Sequence, residues 1–168
     1  MRELIATAAL LLIAPAWASA QNTDHQYRGD GYLFVGEGTY PVGPALYGVS
    51  YAGGGGEVLL LKGLGVDSEV GVMGRPGVWG EGFFSVDPSY HFLRASSKSK
   101  LVPFLEAGYT RTFANNVAPV GPLFNFGGGI HYWAFKRVGW RLEFRDYVHH
   151  VRSVTTHYPG LRIALAFR

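Results

Sequence analysis

The last eight residues of the chain, Leu161-Arg162-Ile163-Ala164-Leu165-Ala166-Phe167-Arg168, decide its fold class. The odd-numbered positions of this stretch are all apolar, and the even-numbered positions hold only arginine or alanine. Because successive side chains of a β-strand point to opposite faces, the segment has one apolar face and one small or charged face. A strand of a soluble sandwich has the same pattern. This chain, however, repeats the pattern along its length behind an export signal, which predicts a transmembrane β-barrel.

Residues 1–20 are predicted to be a cleaved secretory signal peptide. Arg2 supplies its positive charge, residues 4–14 form its apolar core, and Ala18-Ser19-Ala20 is the expected cleavage site. The apolar core is too short to span a membrane as a helix, which takes about 20 residues. We therefore expect a signal peptide at 1–20, a periplasmic segment at 21–28 and an outer-membrane barrel domain at 29–168.

The composition favours strands and gives no support to a nucleic-acid-binding role. The 24 glycines and 15% aromatic residues suit strands better than helices, and the net charge is only +3 with no basic run. Beyond the signal, every apolar run is interrupted by glycine, proline or a charge. If the chain lies in a membrane, only a closed barrel remains, because backbone polar groups in lipid must pair within the protein.

Alternating segments predict eight strands. The first strand has apolar residues on both faces, so its facing is ambiguous, and Pro88 predicts a bulge in the fourth. Connections after the second, fourth and sixth strands are expected to be short, and the others longer, including a last loop at 149–160. An even number of strands places both termini in the periplasm. The predicted strands span 31–37, 46–60, 66–73, 82–93, 101–113, 123–135, 140–148 and 161–168.

Three stretches carry a family resemblance: Leu101–Tyr109, Gly127–Trp133 and Trp140–Tyr147. With the export signal and the aromatic last strand, they resemble the fifth, sixth and seventh strands of small, porin-like outer-membrane β-barrels of the OmpA/OmpX type. The resemblance implies an all-β, eight-stranded antiparallel up-and-down barrel in the outer membrane of a Gram-negative cell envelope. It also implies a monomer in contact with lipids and lipopolysaccharide. In that family the assembly machinery reads a terminal aromatic residue, which here is Phe167, displaced from the end by Arg168.

The charged residues of the predicted strands lie on the face opposite the apolar face. An eight-stranded barrel has room only for its own side chains, and buried charges must be paired. We therefore predict a packed polar plug rather than an ion path, with Glu143 paired to one or more arginines. The predicted lumen charges are Asp67, Glu69, Asp87, Glu106, Arg141, Glu143, Arg145 and Arg162. The residues predicted to face lipid are Phe84, Val86, Leu105, Leu142, Phe144, Ile163 and Leu165.

Two other functions stay open. A lipid A-modifying barrel enzyme would need a serine, a histidine and an acid in contact, and Ser85 lies too far along its strand from His91, although Ser89 does not. A soluble, lipocalin-like periplasmic barrel would turn its apolar residues inward. A predicted belt of outward-facing aromatic residues argues against the lipocalin-like barrel, since aromatic residues favour membrane interfaces. The belt residues are Tyr90, Tyr109, Tyr132 and Trp140. We predict no catalysis and a structural or surface-contact role.

Neither glycine runs nor histidines predict a cofactor or metal site. Gly53–Gly56 and Gly127–Gly129 could suggest phosphate loops, but no helix start with Lys-Ser/Thr follows them, so they are predicted to lie within strands. His149, His150 and His157 could bind a metal, although their spacing is loose and solvated loop histidines are commoner.

Overall fold

The computed structural model describes residues 29–61, 63–74, 80–92, 100–113 and 122–168. The predicted signal peptide and periplasmic segment lie outside the described residues. Eight strands form one closed barrel, in which each strand pairs antiparallel with the next and β8 pairs with β1. The strands are β1 (Gly29–Val42), β2 (Ala45–Leu61), β3 (Leu64–Gly74), β4 (Glu81–His91), β5 (Leu101–Phe113), β6 (Leu123–Tyr132), β7 (Val138–Val151) and β8 (Val154–Phe167).

The two ends of the barrel differ in the connections that they carry. We call the end where β1 begins and β8 finishes the terminal end, and the other the hairpin end. Residues 43–44 alone connect β1 to β2 at the hairpin end, and 152–153 alone connect β7 to β8. Gly43 and Arg152 have positive φ angles of 58° and 55°, which lets the chain reverse in so few residues.

The predicted division into short and long connections is therefore wrong for β1–β2, β4–β5 and β7–β8, whereas the β2–β3 connection is short as predicted. The expected last loop at 149–160 is almost entirely strand, since the β7–β8 ladder runs without a break to the Val151–Val154 pair. The stretch contains Val151, Val154, Thr155, Thr156 and Tyr158, which are all good strand formers. At the terminal end, the β4–β5 connection occupies 92–100, longer than either hairpin turn.

The bulge predicted at Pro88 is also wrong. Val86 lies opposite Tyr109 and Ser89 opposite Glu106, so β4 and β5 keep one register on both sides of the proline. Among the described residues, a register shift lies instead between Leu59 and Leu61, where β2 meets β3.

The ambiguous first strand places its aromatic residues inside. Tyr32 and Phe34 are each 3% exposed, whereas Leu33 is 63% exposed on the outer face. Arginine side chains explain the choice, because the guanidinium of Arg141 stacks on Tyr32 and that of Arg162 on Phe34.

The outer wall of the barrel is apolar. Its exposed side chains include Phe84, Val86, Leu105, Phe126, Ile130, Leu142, Phe144 and Ile163. Exposed aromatics lie near the terminal end, where Tyr132 pairs with Trp140 and Tyr90 with Leu105, and again towards the hairpin end, where Tyr109 pairs with Phe124. A continuous apolar band of this kind is much larger than the patches that soluble monomers expose. Within the described residues, no helix is long and apolar enough to cross a membrane.

Candidate functional site: a charged cluster in the lumen

Three arginines from neighbouring strands share one carboxylate. Arg141, Glu143 and Arg145 alternate on the inner face of β7, and Arg162 faces Glu143 from β8. Glu143 accepts hydrogen bonds from Arg141 Nε at 2.8 Å, Arg145 Nε at 2.7 Å and Arg162 Nη2 at 2.6 Å. All four side chains are buried. The predicted pairing partners of Glu143 therefore contact it together rather than as alternatives.

Arg141 connects β7 to the far side of the barrel. Its Nη1 donates to Asp67 Oδ2 on β3 at 3.2 Å, and its Nη2 donates to Glu106 Oε2 on β5 at 2.5 Å. The flat guanidinium also lies over the rings of Tyr32 and Phe104, with its carbon 4.6 Å and 4.2 Å from their centroids. Because β3 lies opposite β7 in an eight-stranded barrel, this one side chain spans the lumen.

Arg145 makes a second bridge across the lumen. Its Nη1 donates to Glu69 Oε1 at 2.8 Å and to Asp87 Oδ2 at 2.9 Å, and its Nη2 donates to Glu106. The other oxygen of Asp87 accepts from the Asn125 amide at 2.8 Å. Gly108 faces Asp87 from β5, and a side chain in its place would collide with that carboxylate. Small and polar positions on β5 and β6 thus make room for Asp87.

Arg162 completes the cluster from β8. Beside it, the Tyr32 hydroxyl donates to Asp67 Oδ1 at 2.7 Å and lies 3.1 Å from Glu69 Oε2. Arg162 itself donates to both oxygens of Glu69 at 2.9 Å. This bidentate geometry matches the planar fork of a guanidinium to a carboxylate. Apart from Arg162 Nε, every polar atom of the three arginines has a hydrogen-bond partner. The arrangement pairs each arginine with several carboxylates and fixes these side chains in place, which is what a plug requires.

Aromatic side chains close the lumen towards the hairpin end. Tyr147 stacks on Tyr51 with ring centroids 5.8 Å apart, and the edge of Phe83 meets Tyr147 at 6.1 Å. Phe34 continues the contact to Phe83 at 6.3 Å. The sequence interpretation did not assign these rings to the lumen, because an aromatic residue is equally at home on a lipid-facing wall.

A separate polar group lies in the lumen near the terminal end. His91 Nε2 lies 2.7 Å from Glu57 Oε1, and the Ser89 hydroxyl donates to the same oxygen. His131 Nδ1 lies 3.7 Å from Asp30 Oδ2. Asp30 and Glu57 were not among the residues predicted for the lumen. Parity alone could not assign them to the lumen, because Asp30 shares its strand face with Tyr32 and Glu57 with Tyr51, and a tyrosine also suits a lipid-facing wall.

The catalytic alternative finds no suitable geometry among these residues. Ser89 donates to the carboxylate of Glu57 rather than to an imidazole, so His91 is not placed to take its proton. Ser85 instead pairs with the Thr110 hydroxyl at 2.7 Å. All of these side chains are buried within the lumen, away from any lipid acyl chain.

The histidines near the β7–β8 turn do not converge on one point. His157 Nδ1 lies 2.7 Å from Asp146 Oδ2 on the outer wall, whereas His150 Nδ1 lies 2.9 Å from the Thr155 hydroxyl. Among the described residues, the cluster with metal-ligand geometry is instead Asp30, Glu57 and His131. The glycine runs, as predicted, lie inside β2 and β6.

The architecture matches solved membrane barrels. The N-terminal β-barrel domain of Pseudomonas aeruginosa OprF matches with a TM-score of 0.56 and 17% identity, covering 83% of this chain and 98% of that one. Neisserial surface protein A matches with a TM-score of 0.62 and 10% identity, covering 84% and 97%. This chain has the fold of the small outer-membrane β-barrels.

A designed protein has the same fold. A de novo transmembrane β-barrel matches with a TM-score of 0.57 and 16% identity, covering 86% of this chain and 98% of the design. No protein-family model and no curated relative matches the sequence. At these identities the likeness concerns the fold, and the role of the chain has to be argued from its own residues.

Proposed function

We propose that this chain is an integral outer-membrane protein whose lumen is a closed polar plug, with a structural or surface-contact role and no catalysis. The observation that carries the proposal is the opposition of the two faces: apolar side chains cover the outer wall, while paired charges fill the interior. An apolar outer wall suits contact with lipid, and paired charges suit a sealed interior.

The paired charges argue against a conducting pore. Arg141 and Arg145 each reach carboxylates on the far side of the lumen, so an ion would have to break several charge-assisted hydrogen bonds to pass. Aromatic rings cover the charges on the hairpin side. In planar bilayers we expect the purified protein to give no steady conductance, with a porin recorded in the same membranes as the control. Steady openings of porin size would overturn the plug.

The surface-contact role is assigned to two projecting hairpins. The β1–β8 ladder ends at the Gly38–Gly160 pair, whereas β1–β2 and β7–β8 continue to their turns. We call these two extensions the hairpin arms, residues 39–48 and 149–159. They carry exposed apolar side chains such as Leu46 and Val154 beside the turns. In the proposed orientation the terminal end faces the periplasm, and the hairpin arms face outwards, where they meet lipopolysaccharide or another surface.

The absence of cysteine from the sequence allows a direct test of this orientation. Ser153→Cys places a thiol at the β7–β8 turn, and Lys136→Cys places one in the β6–β7 connection at the terminal end. In intact cells, a membrane-impermeant maleimide should label Ser153→Cys and leave Lys136→Cys unlabelled until the outer membrane is opened. Equal labelling of both, or the reverse pattern, would refute the orientation.

Membrane residence is tested by fractionation. The protein should pellet with the outer membrane and resist extraction by carbonate, and its gel mobility should change on boiling because a closed barrel resists detergent until it is heated. Recovery in the soluble periplasmic fraction would favour the lipocalin-like alternative instead.

A further inference from the structure

Three ligand-type side chains converge in the lumen near the terminal end. Asp30 comes from the start of β1, Glu57 from β2 and His131 from β6, and one ligand atom of each lies within 4.8 Å of the others. His131 Nδ1 and Asp30 Oδ2 are 3.7 Å apart. All three side chains are buried, Asp30 being 3% exposed and His131 0%. They form a compact donor set inside the barrel.

All the side-chain polar atoms of this group except Glu57 Oε1 lack a hydrogen-bond partner. Both carboxylate oxygens of Asp30, both ring nitrogens of His131 and Oε2 of Glu57 make no hydrogen bond. Buried polar groups are almost always satisfied, because an unpaired one costs free energy. The contrast with the neighbouring charged cluster is sharp, since there nearly every arginine nitrogen has an acceptor. Five unpartnered atoms in one place indicate a group that binds between them.

The charge of the lumen favours a cation as that group. Its buried side chains include seven carboxylates against three arginines. The carboxylates are Asp30, Glu57, Asp67, Glu69, Asp87, Glu106 and Glu143, and the arginines are Arg141, Arg145 and Arg162. The arginines serve mainly the carboxylates of the charged cluster, and Arg141 Nη1 reaches Glu57 Oε2 only at 4.0 Å. Asp30 and the Oε2 atom of Glu57 accept no hydrogen bond from an arginine, so these two carboxyl groups are the ones that a small cation would bind.

The donor types select the cation. Magnesium and calcium prefer oxygen ligands alone, whereas an imidazole together with carboxylates suits zinc. Zinc ligands at about 2.0–2.2 Å from the metal lie roughly 3.3 Å from one another in a tetrahedron. The 3.7 Å separation between His131 Nδ1 and Asp30 Oδ2 is close to that value. Small side-chain movements would complete the geometry.

We propose that Asp30, Glu57 and His131 bind one Zn²⁺ ion in the lumen near the terminal end, with water in the fourth position. His91 holds the other oxygen of Glu57 and orients this ligand. Because β2 and β6 lie opposite each other, the ion connects the two sides of the barrel, between the charged cluster and the terminal end. The site is a structural cross-link, which goes beyond the closed plug itself.

The test uses the whole exported chain, without a histidine tag, folded in detergent and stripped with a chelator. Titration calorimetry with ZnCl₂ and metal analysis after dialysis should give one Zn²⁺ per barrel. Asp30→Asn and His131→Gln should each weaken binding by about 100-fold or more, because even loss of a group behind a ligand costs about 10–100-fold. His157→Gln, a histidine at the hairpin arm paired with Asp146, is the matched control and should bind as the wild type does.

A second readout covers variants that fold poorly. Zn²⁺ should raise the temperature at which the wild-type band shifts on heating and leave that of folded Asp30→Asn unchanged. Co²⁺ bound to the wild type should give the strong visible absorption of a tetrahedral site. If the wild-type protein binds no zinc, the site holds only water and the proposal is overturned. Zinc binding that is unaltered in both ligand variants would overturn it as well. Conductance recordings are independent of zinc, so the plug can stand if the site fails.

Discussion

At the scale of single residues, arginine rather than lysine suits the lumen of this barrel. Arg141 binds Glu143 through Nε, Asp67 and Glu106 through its two terminal nitrogens, and two aromatic rings through its flat faces. A lysine ammonium has no planar fork and could not serve three carboxylates and stack at the same time. One guanidinium therefore satisfies both the charges and the rings that the barrel wall brings together.

Glu143 is the residue whose loss should disturb the plug most. Glu143→Gln leaves three buried arginines without the shared carboxylate, and breaking such a buried network costs about 3–5 kcal/mol. Urea titration of the barrel in lipid vesicles measures the free energy of unfolding. Glu37→Gln, an exposed glutamate bonded to Ser50, is the control and should change it little. Equal unfolding midpoints for the two variants would show that the network does not stabilise the fold.

The outer wall requires apolar side chains, whereas the lumen requires paired charges. Leu142 is 55% exposed between Ile130 and Ile163, so Leu142→Arg places a charge in the apolar band and should destabilise the barrel by about 2–4 kcal/mol. Leu46 is 72% exposed beside the β1–β2 turn, and Leu46→Arg should cost only about 0–1 kcal/mol. The same vesicle titration compares them. Similar costs at both positions would argue against a membrane band at Leu142.

At the scale of strands, alternation in the sequence predicted some elements well and others badly. β5 begins and ends where the pattern placed it, because its apolar and polar residues alternate cleanly from Leu101 to Phe113. β1 could not be oriented from sequence, since Tyr32 and Leu33 are both apolar. Its facing depends on arginines more than 100 residues away, which only the closed barrel brings next to it.

Contacts between residues far apart in the chain also limited what could be predicted of the site and of the hairpin arms. Eight charges of the charged cluster shared the inward parity and could be predicted, as could the pairing of Glu143 with arginines of its own and the next strand. The pairs across the lumen could not be predicted, because Arg141 and Asp67 are 74 residues apart in the chain. Asp30 lies just outside the predicted first strand and was missed. The β7–β8 arm contains histidine, threonine and proline, which resemble a loop in composition, but ladder pairing makes it a hairpin.

The turn of that arm offers a test at the scale of the element. Arg152 has a left-handed backbone, which costs a side-chain-bearing residue about 1–2 kcal/mol, while asparagine tolerates it better. Arg152→Asn should therefore raise the free energy of unfolding by roughly 0.5–1 kcal/mol. Ser153→Asn is the control, because Ser153 has no positive φ and should gain nothing. A lower unfolding midpoint for Arg152→Asn would mean that its side chain contributes more than the turn costs.

At the scale of the whole molecule, β8 closes the barrel. It pairs with β7 over its full length and with β1 from Gly160 to Phe167, so the seam between the first and last strands is closed up to the Gly38–Gly160 pair, where the hairpin arms begin. Phe167 lies opposite both Gly31 and Val138 and points outward at the terminal end. Arg168 turns back over the ring of Trp133, 4.1 Å from its centroid, and donates to the Lys136 carbonyl.

The last two residues are expected to have separate effects, Phe167 on assembly and Arg168 on stability. We propose that Phe167 directs insertion, as the terminal aromatic residue does in barrels of this type, and that Arg168 only caps the finished end. Phe167→Ala should lower the membrane yield and leave unfolded chain in the periplasm, measured by fractionation and by heat-modifiable gel migration. Deleting Arg168 should leave the yield unchanged, although loss of its contact with Trp133 should lower stability by about 0.5–1 kcal/mol.

Phe135→Ala is the matched control for the insertion experiment. Phe135 is an exposed aromatic residue at the same end of the barrel, but it lies in the β6–β7 connection rather than in the last strand. If loss of any rim aromatic impaired anchoring, the two alanine variants would fall together; if the terminal strand is what the assembly machinery reads, only Phe167→Ala should fall. Insertion of Phe167→Ala at the wild-type level would show that barrel closure by β8 does not depend on that side chain being recognised first.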